Sequence, residues 1–222
     1  MLNNLKQDLV RINYYRLLKP EQVGPGRIIF EAMRNAGYRA VVLYRIGRWF
    51  RCRKMGFCAA VVERFMRHLC HCWISTAIDI GPGFVIAHVC GIIVDGAVGP
   101  IGKNFTIRQN VTIGGNYGKA RNGRTQPIIG DDVSVGPGAT ILGPISIGSN
   151  TIIGANAVVT TDIPENSVAG TFRAEVIAQR ADDGSIIHTK DRVFMSRREL
   201  YDRIRRLEEK IEKMEQTAKT ER

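Results

Sequence analysis

An aliphatic residue that recurs at every sixth position is the feature that most constrains this chain. Glycine follows four members of the series, which runs without a slip through Ile129, Val135, Ile141, Ile147, Ile153 and Val159. A period of six fits neither the alternation of a β-strand nor the turn of a helix. Each hexapeptide is too short to bury its apolar face alone, so such units must stack on one another. The pattern predicts a β-solenoid.

The same period extends towards the N-terminus, with two interruptions. Two earlier series are offset from each other by three residues: Ile80, Ile86, Ile92 and Val98, then Ile101, Ile107 and Ile113. The offset predicts a bulged turn between Asp95 and Pro100. A second excursion, rich in glycine, asparagine and cations, predicts an exposed loop over residues 115–127. We therefore place the solenoid within residues 74–177, with a loop of the kind that carries function on rigid scaffolds.

Residues 1–73 carry most of the net charge of +11, with 14 Lys and Arg against 4 Asp and Glu. Apolar spacing predicts four helices there. The first carries the series from Leu2 to Ile12 and stops before Pro20, the second runs near residues 27–35 and is ended by Gly37, and the others lie near residues 39–54 and 58–72. One interpretation is a helical subdomain that caps the open first coil. Another adds attachment to an anionic membrane surface through arginines beside Trp49 and Phe50. No recognition motif accompanies the charge, so we expect no nucleic-acid partner.

The cellular compartment is read from signals that the sequence lacks. We find no secretion signal and no apolar run of about 20 residues, so we expect a cytoplasmic protein, which the membrane interpretation would place on the inner face. Five cysteines without framework spacing fit reduced thiols. Zinc binding by the cluster of His68, Cys70, His71 and Cys72 is disfavoured because neighbouring ligands on one helix point in different directions. We expect no metal.

Three segments carry a resemblance to a known family. Residues 87–94 read AHVCGIIV, residues 109–115 read QNVTIGG, and residues 168–170 read VAG. With them, the stretch from Ile74 to Ile177 resembles the left-handed β-helix acyltransferases built on hexapeptide repeats. It is most similar to the serine acetyltransferases and their capsule or exopolysaccharide O-acetyltransferase relatives. The resemblance implies a mainly β fold, a left-handed parallel β-helix, a homotrimer, and acetyl-CoA lying in the groove between adjacent coils.

Residues 178–222 are predicted to form a linker and a C-terminal coiled-coil helix. Apolar residues repeat at seven-residue spacing in two interleaved series: Val193, Leu200, Leu207 and Met214, and Ile204 and Ile211. One interpretation is a helix packed on its own subunit. Because a trimer would bring three such tails together, we favour a short parallel three-stranded coiled coil.

Acetyl transfer from a thioester to a hydroxyl requires a base, and histidine titrates nearest to neutral pH. Of the four histidines, His88 alone lies in the repeats, at the position that matches the family's catalytic histidine. We assign it as the general base, with the oxyanion held by a backbone N–H near Gly114 or Gly115. The alternative is a histidine that only fills a coil corner. Asp79, Asp95 or a backbone carbonyl would fix its tautomer.

The acceptor is inferred from departures from the family pattern. Serine acetyltransferases place acids directly before the catalytic histidine and fifteen residues before it, whereas this chain has Ala87 and Trp73 there. Because an ammonium-bearing acceptor needs a carboxylate partner, these changes argue against serine. We predict a sugar hydroxyl instead, with Trp73 either stacked on a pyranose ring or packed at the solenoid entrance. The predicted substrate-binding residues are Trp73, Asp95, Arg121, Arg124 and Gln126, the last in place of a loop histidine.

Coenzyme A needs cations for its phosphates and close backbone approach along its pantetheine arm. By similarity to the family, the predicted cofactor-binding residues are Gly114, Gly115, Gly136, Ala139, Gly154, Ala157, Lys119 and Arg173. Together these features predict an acetyl-CoA-dependent O-acetyltransferase that acts on a capsular or exopolysaccharide sugar or its precursor. The alternatives are a serine O-acetyltransferase and a non-catalytic trimeric scaffold.

Overall fold

The computed structural model describes residues 1–12, 19–95, 98–116, 118, 120–171, 178–180, 186–188 and 204–208. They belong to two units, Met1–Phe172 and Arg173–Arg222.

The hexapeptide period gives very short strands in the first unit. In its described residues they are β1 (Trp73–Ile74), β2 (Val85–Ile86), β3 (Ile93–Val94), β4 (Thr106–Ile107), β5 (Thr112–Gly114), β6 (Ile128–Ile129), β7 (Ser134–Val135), β8 (Thr140–Leu142), β9 (Ser146–Ile147), β10 (Ile152–Ile153), β11 (Val158–Val159) and β12 (Val168–Ala169).

The strands stack into three parallel sheets, one for each side of the coil. The first has the order β1-β3-β5-β8-β11 and the second β12-β10-β7-β4-β2. The third pairs β6 with β9 and is extended by single bridges at Ile80, Ile101 and Ile163. Successive strands of one sheet come from successive coils, as where Ile93 pairs with Thr112 and Thr112 with Thr140. The prediction of a parallel β-solenoid is confirmed.

The repeated aliphatic residues form the core. Along the second sheet they are Ile86, Ile107, Val135 and Ile153, each at most 2% exposed. Six coil corners hold asparagine or aspartate with positive φ: Asn104, Asn110, Asp132, Asn150, Asn156 and Asn166. These residue types tolerate the left-handed conformation better than other side chains do. Asparagine or aspartate at these corners is therefore a second sign of the coil, beside the aliphatic period.

In the described residues, four α-helices precede the coil: α1 (Leu2–Ile12), α2 (Pro25–Arg34), α3 (Ala36–Cys52) and α4 (Gly56–Cys70). Each overlaps a stretch that the apolar spacing predicts, but α2, α3 and α4 begin two or three residues earlier, and Gly37 lies within α3 where the end of the second helix was predicted. Tyr44 on α3 is fully buried, donates to the carbonyl of Ile78 at 2.8 Å and accepts from the amide of Ile80 at 3.1 Å. The helices thus cover the first coil, whose core and strand edges would otherwise be exposed.

A buried ion pair fastens this cap. Arg45 of α3, 4% exposed, donates to both carboxylate oxygens of the fully buried Asp8 of α1, at 2.9 and 3.0 Å. Asp8 also accepts from the amides of Gly83 and Phe84, both at 2.8 Å. Burial raises the pKa of Asp8, and Arg45 and the two amides oppose that rise. One carboxylate therefore joins two helices to the coil segment that leads into β2.

The second unit contains an antiparallel pair, β13 (Ala178–Arg180) with β14 (Ile186–His188), and helical residues at 204–208. Most of the predicted coiled coil lies outside the described residues, so it stays a prediction. Among the helices that the structure describes, none has the length and apolarity to cross a lipid bilayer.

Candidate active site

His88 stands at the corner that joins β2 to β3. The strand before it is held to the next coil, where the amide of Ala87 donates to the carbonyl of Ile107 at 3.1 Å. The imidazole itself is exposed, and no described residue hydrogen-bonds to it. A histidine that only filled a corner would pack into the coil, so this exposed placement fits a base that must reach a substrate. Asp79 pairs with Arg48 at 3.7 Å, and the group that fixes the tautomer of His88 stays a prediction.

A cleft of about 390 Å³ opens directly beside this histidine. Its walls are residues 34–37, at the junction of α2 and α3, and residues 87–89 of the corner. The junction can approach because it carries glycine: a Cβ atom on Gly37 would lie 2.0 Å from the carbonyl oxygen of Ile86. Arg34 brings a cation to the cleft and donates to the buried carboxylate of Glu31 at 2.8 Å. Sequence reasoning missed Arg34, since nothing local links residue 34 to residue 88.

A second cleft, of about 500 Å³, lies on the other side of the same corner. It is lined by Arg67, residues 71–73 and residues 91–93. Trp73 is half-buried, with the Arg67 guanidinium 5.1 Å from its ring centre. Its indole N–H is buried, and no described residue accepts a hydrogen bond from it. Trp73 therefore lies near the corner that carries the candidate base, and its role in binding an acceptor stays a prediction.

The small residues predicted to bind coenzyme A fall into two groups. Gly136 and Gly154 occupy the same corner as His88 in later coils, where the amide of Gly136 donates to the carbonyl of Ile153 at 2.7 Å. A Cβ atom on Gly136 would lie 2.6 Å from the amide of Ala155, so coil stacking alone explains this glycine. Ala139 and Ala157 are buried in the core, so only their backbone can meet a ligand. Coenzyme A binding by these residues stays a prediction.

The predicted oxyanion glycines lie away from His88 in the same chain. β3 and β5 are parallel neighbours in one sheet, with Val94 paired to Ile113. Gly114 follows the C-terminal end of this pairing, whereas His88 comes before the N-terminal end of β3, so the two lie at opposite edges of the sheet. Asp95 and Gln126 accompany the glycines: the Asp95 amide donates to Ile113, and Gln126 packs beside Gly115. One chain therefore does not bring the base and these glycines together.

The basic loop is held against the coils that follow it. Arg121 pairs with Asp162, and Arg124 donates to the hydroxyl of Ser146 at 3.2 Å. The pKa of Asp162 is lowered, first by the Ser146 amide and then by Arg121. Arg121 thus has a partner within its own chain. Lys119 and Arg173, the cations predicted for the coenzyme A phosphates, lie outside the described residues.

Comparison with known proteins shows that the chain is similar to acetyltransferases. The family of bacterial transferase hexapeptide (six repeats) matches residues 126–161. Serine acetyltransferase of Bacillus pumilus is 35% identical over 65% of this chain and 65% of its own length. That of Synechococcus elongatus is 32% identical over 84% of this chain and 81% of its own length. The chain therefore spans slightly less than two thirds of the first relative and most of the second.

Solved structures give the same match. The Neisseria gonorrhoeae serine acetyltransferase in complex with serine has a TM-score of 0.61 and 29% identity, covering 74% of this chain and 64% of that one. A serine acetyltransferase in complex with CoA also has a TM-score of 0.61, with 25% identity over 78% of this chain and 68% of the other.

These relatives overturn the predicted acceptor. They are named serine acetyltransferases and do not belong to the capsule or exopolysaccharide branch. The prediction of a sugar hydroxyl as acceptor, and with it a role in polysaccharide synthesis, is wrong. It rested on two positions where this chain has Ala87 and Trp73 in place of acids. The loss of those acids removes an ion pair with the acceptor, but it does not specify a sugar. The cleft beside His88 also holds Arg34, a cation suited to the carboxylate end of an amino acid.

Proposed function

The chain belongs to the serine acetyltransferase family, and from that premise we propose that it transfers the acetyl group of acetyl-CoA to the hydroxyl of serine. The observation that carries the proposal is the exposed imidazole of His88 beside a cleft that contains a cation. Acetyl-CoA is the donor, in keeping with the relative solved in complex with CoA. No metal takes part in the proposed step.

In this step His88 removes the proton from the serine hydroxyl as its oxygen attacks the thioester carbonyl. The carbonyl becomes a tetrahedral oxyanion, which backbone amides stabilise. The oxyanion collapses and the carbon–sulfur bond breaks. The leaving thiolate takes the proton from the His88 imidazolium, giving O-acetylserine and CoA. His88 ends in its starting protonation state.

We assign recognition of the serine carboxylate to Arg34. Among the described residues that line the two clefts, none is an acid, so the serine ammonium has no carboxylate partner there. The ion pair with the acceptor therefore forms at its carboxylate end. Arg34 is 57% exposed and uses Nε and one terminal nitrogen for Glu31, which leaves the other terminal nitrogen to donate to a ligand.

We further propose a homotrimer with the site between subunits. His88 and Gly114 lie at opposite ends of one sheet, so a neighbouring subunit must supply the oxyanion glycines if both serve one reaction. Co-expression of His88→Ala with Gly115→Val chains tests this arrangement. Mixed trimers should regain a fraction of the activity that each variant lacks alone; an inactive mixed population of trimers would contradict the shared site.

The assay for the base is thiol release from acetyl-CoA with serine as acceptor. His88→Ala should lower kcat by about 10²–10⁴, the usual contribution of a general base. His68→Ala, which removes an exposed histidine of α4, is the matched control and should keep full activity. A His88→Ala protein of wild-type activity would refute the assignment of the base. A wild-type protein that releases no thiol from acetyl-CoA would refute the proposed acetyltransferase activity.

The carboxylate role of Arg34 needs a variant that does not orphan Glu31, which is 3% exposed. The double variant Glu31→Gln, Arg34→Gln removes both charges, and Glu31→Gln alone is its control. Loss of a charge-assisted hydrogen bond should raise the KM for serine about tenfold or more and leave the KM for acetyl-CoA unchanged. Equal serine KM in the two variants would contradict the assignment.

A further inference from the structure

An apolar ridge runs along the outer side of α4. Phe57, Val61, Phe65 and Leu69 are four residues apart and are 83%, 37%, 55% and 55% exposed. Spacing of four places successive side chains along one side of a helix. The opposite side, with Ala59, Met66 and Cys70, is buried against the rest of the molecule. The ridge is therefore additional to the face that already packs the helix.

A cation borders this ridge, and the described acid of α4 faces away from it. Arg64 is exposed next to the ridge, with His68 beside it, and Arg67 is exposed further round the helix, where its guanidinium lies 5.1 Å from the ring centre of Trp73. Glu63 turns inward, where its carboxylate accepts from the amide of Thr76 at 2.7 Å and pairs with Arg51 at 3.3 Å. The outer face of α4 thus combines apolar and positively charged groups, the composition of a helix that lies in a membrane interface.

The arginines of α3, by contrast, have partners inside the protein. Arg45 pairs with Asp8, Arg48 with Asp79, and Arg51 with Glu63. Arg53, just past the end of the helix, lies 3.8 Å from the ring centre of Trp49. One interpretation of the sequence gave a membrane-facing surface to α3, beside Trp49 and Phe50. The structure favours α4 for that role, since Arg64 and four large apolar side chains of α4 are exposed together.

We propose that the outer face of α4 docks on an anionic lipid surface. Charge decides between this occupant and a second copy of the chain. Residues 1–73 hold 14 Lys and Arg against 4 Asp and Glu, so two such segments brought face to face would repel. Anionic headgroups attract the same cations, each contributing roughly 1 kcal/mol near the surface, while the ridge enters the acyl boundary. This docking is independent of the acetyl-transfer proposal.

Vesicle flotation with the full chain tests the docking. The wild type should float with vesicles of phosphatidylcholine and phosphatidylglycerol but not with phosphatidylcholine alone. Raising the salt from about 0.1 M to about 1 M, which shortens the screening length from about 10 to about 3 Å, should release it. Phe57→Ser with Phe65→Ser should weaken binding about tenfold or more, and Arg64→Gln about fivefold.

The matched control is Val158→Ser with Val168→Ser, which removes two apolar side chains of the solenoid that are 69% and 78% exposed. It should bind vesicles like the wild type. Wild-type protein that stays unbound with anionic vesicles at low salt would overturn the proposal. So would a Phe57, Phe65 double variant that binds vesicles normally but sediments as a smaller assembly, because the ridge would then be a contact between copies. Thiol release from acetyl-CoA is measured on each variant as well, so that a change in vesicle binding or assembly can be distinguished from a loss of catalytic activity.

Discussion

The ion pair between Asp8 and Arg45 gives a sharp test of how the helices are fixed to the solenoid. Asp8→Ala would leave a guanidinium that is 4% exposed without its carboxylate and would strip the acceptor from the amides of Gly83 and Phe84. Removing one partner of a buried pair costs about 3–5 kcal/mol. The orphaned amides act in the same direction, at roughly 1–3 kcal/mol each before water enters. We therefore expect the free energy of unfolding to fall by at least about 3 kcal/mol.

The assay is equilibrium unfolding in urea, followed by the fluorescence of Trp49 and Trp73, at one fixed protein concentration because assembly couples to stability. Asp79→Ala is the matched control: its carboxylate is 74% exposed and 3.7 Å from Arg48, so it should cost less than about 1 kcal/mol. The double variant Asp8→Leu, Arg45→Met removes both charges and should recover much of the loss. A loss below about 1 kcal/mol for Asp8→Ala, or a double variant as unstable as the sum of the single ones, would refute this reasoning.

Three further predictions follow from local geometry. Gly37→Ala should lower the melting temperature and the activity together, because its Cβ atom would lie 2.0 Å from the Ile86 carbonyl oxygen; wild-type values for both would contradict the close contact. Burial raises the pKa of Cys72 to about 12, so a maleimide should label exposed Cys52 and Cys90 well before Cys72, as read by peptide mass spectrometry; equal rates would be evidence against that burial. Burial also raises the pKa of Tyr44 to about 12, whereas the pKa of an unfolded tyrosine is about 10. The free energy of unfolding should therefore fall as the pH rises from about 10 to about 12, because only the unfolded state ionises there. Tyr44→Phe should make this fall shallower in urea unfolding followed against pH.

The parts of the fold that the sequence predicted are those that depend on neighbouring residues. The aliphatic period marks each coil, since every unit repeats the same local demand for one inward side chain. Helix positions follow from apolar spacing in the same way, and α1 carries the apolar series from Leu2 to Ile12 that indicated it. The cap contacts could not be predicted, because Asp8 meets Gly83 across 75 positions and leaves no periodic mark in the sequence.

In the candidate site too, residues within a local motif were predicted and residues brought in from a distant segment were not. The candidate base His88 was identified because it lies within a motif of adjacent residues, and the structure shows it exposed at a corner. Arg34 was missed because it reaches the cleft only through the packing of the α2–α3 junction on β2. The wrong acceptor has the same origin: it was inferred from positions 73 and 87 alone, when the walls of the cleft come from two distant segments.

The close contact between Gly37 and Ile86 explains how these two segments can form one site. A glycine at this point lets the first turn of α3 meet the carbonyl that ends β2, two residues before the base. The Asp8 and Arg45 pair then holds the same coil segment from the other side, through Gly83 and Phe84. Because both contacts act on the chain that leads into His88, the helices position the cleft beside His88 as well as closing the end of the solenoid. If Arg34 binds the acceptor as proposed, recognition of the acceptor would change through the α2–α3 junction, while the repeats that build the coil stay the same.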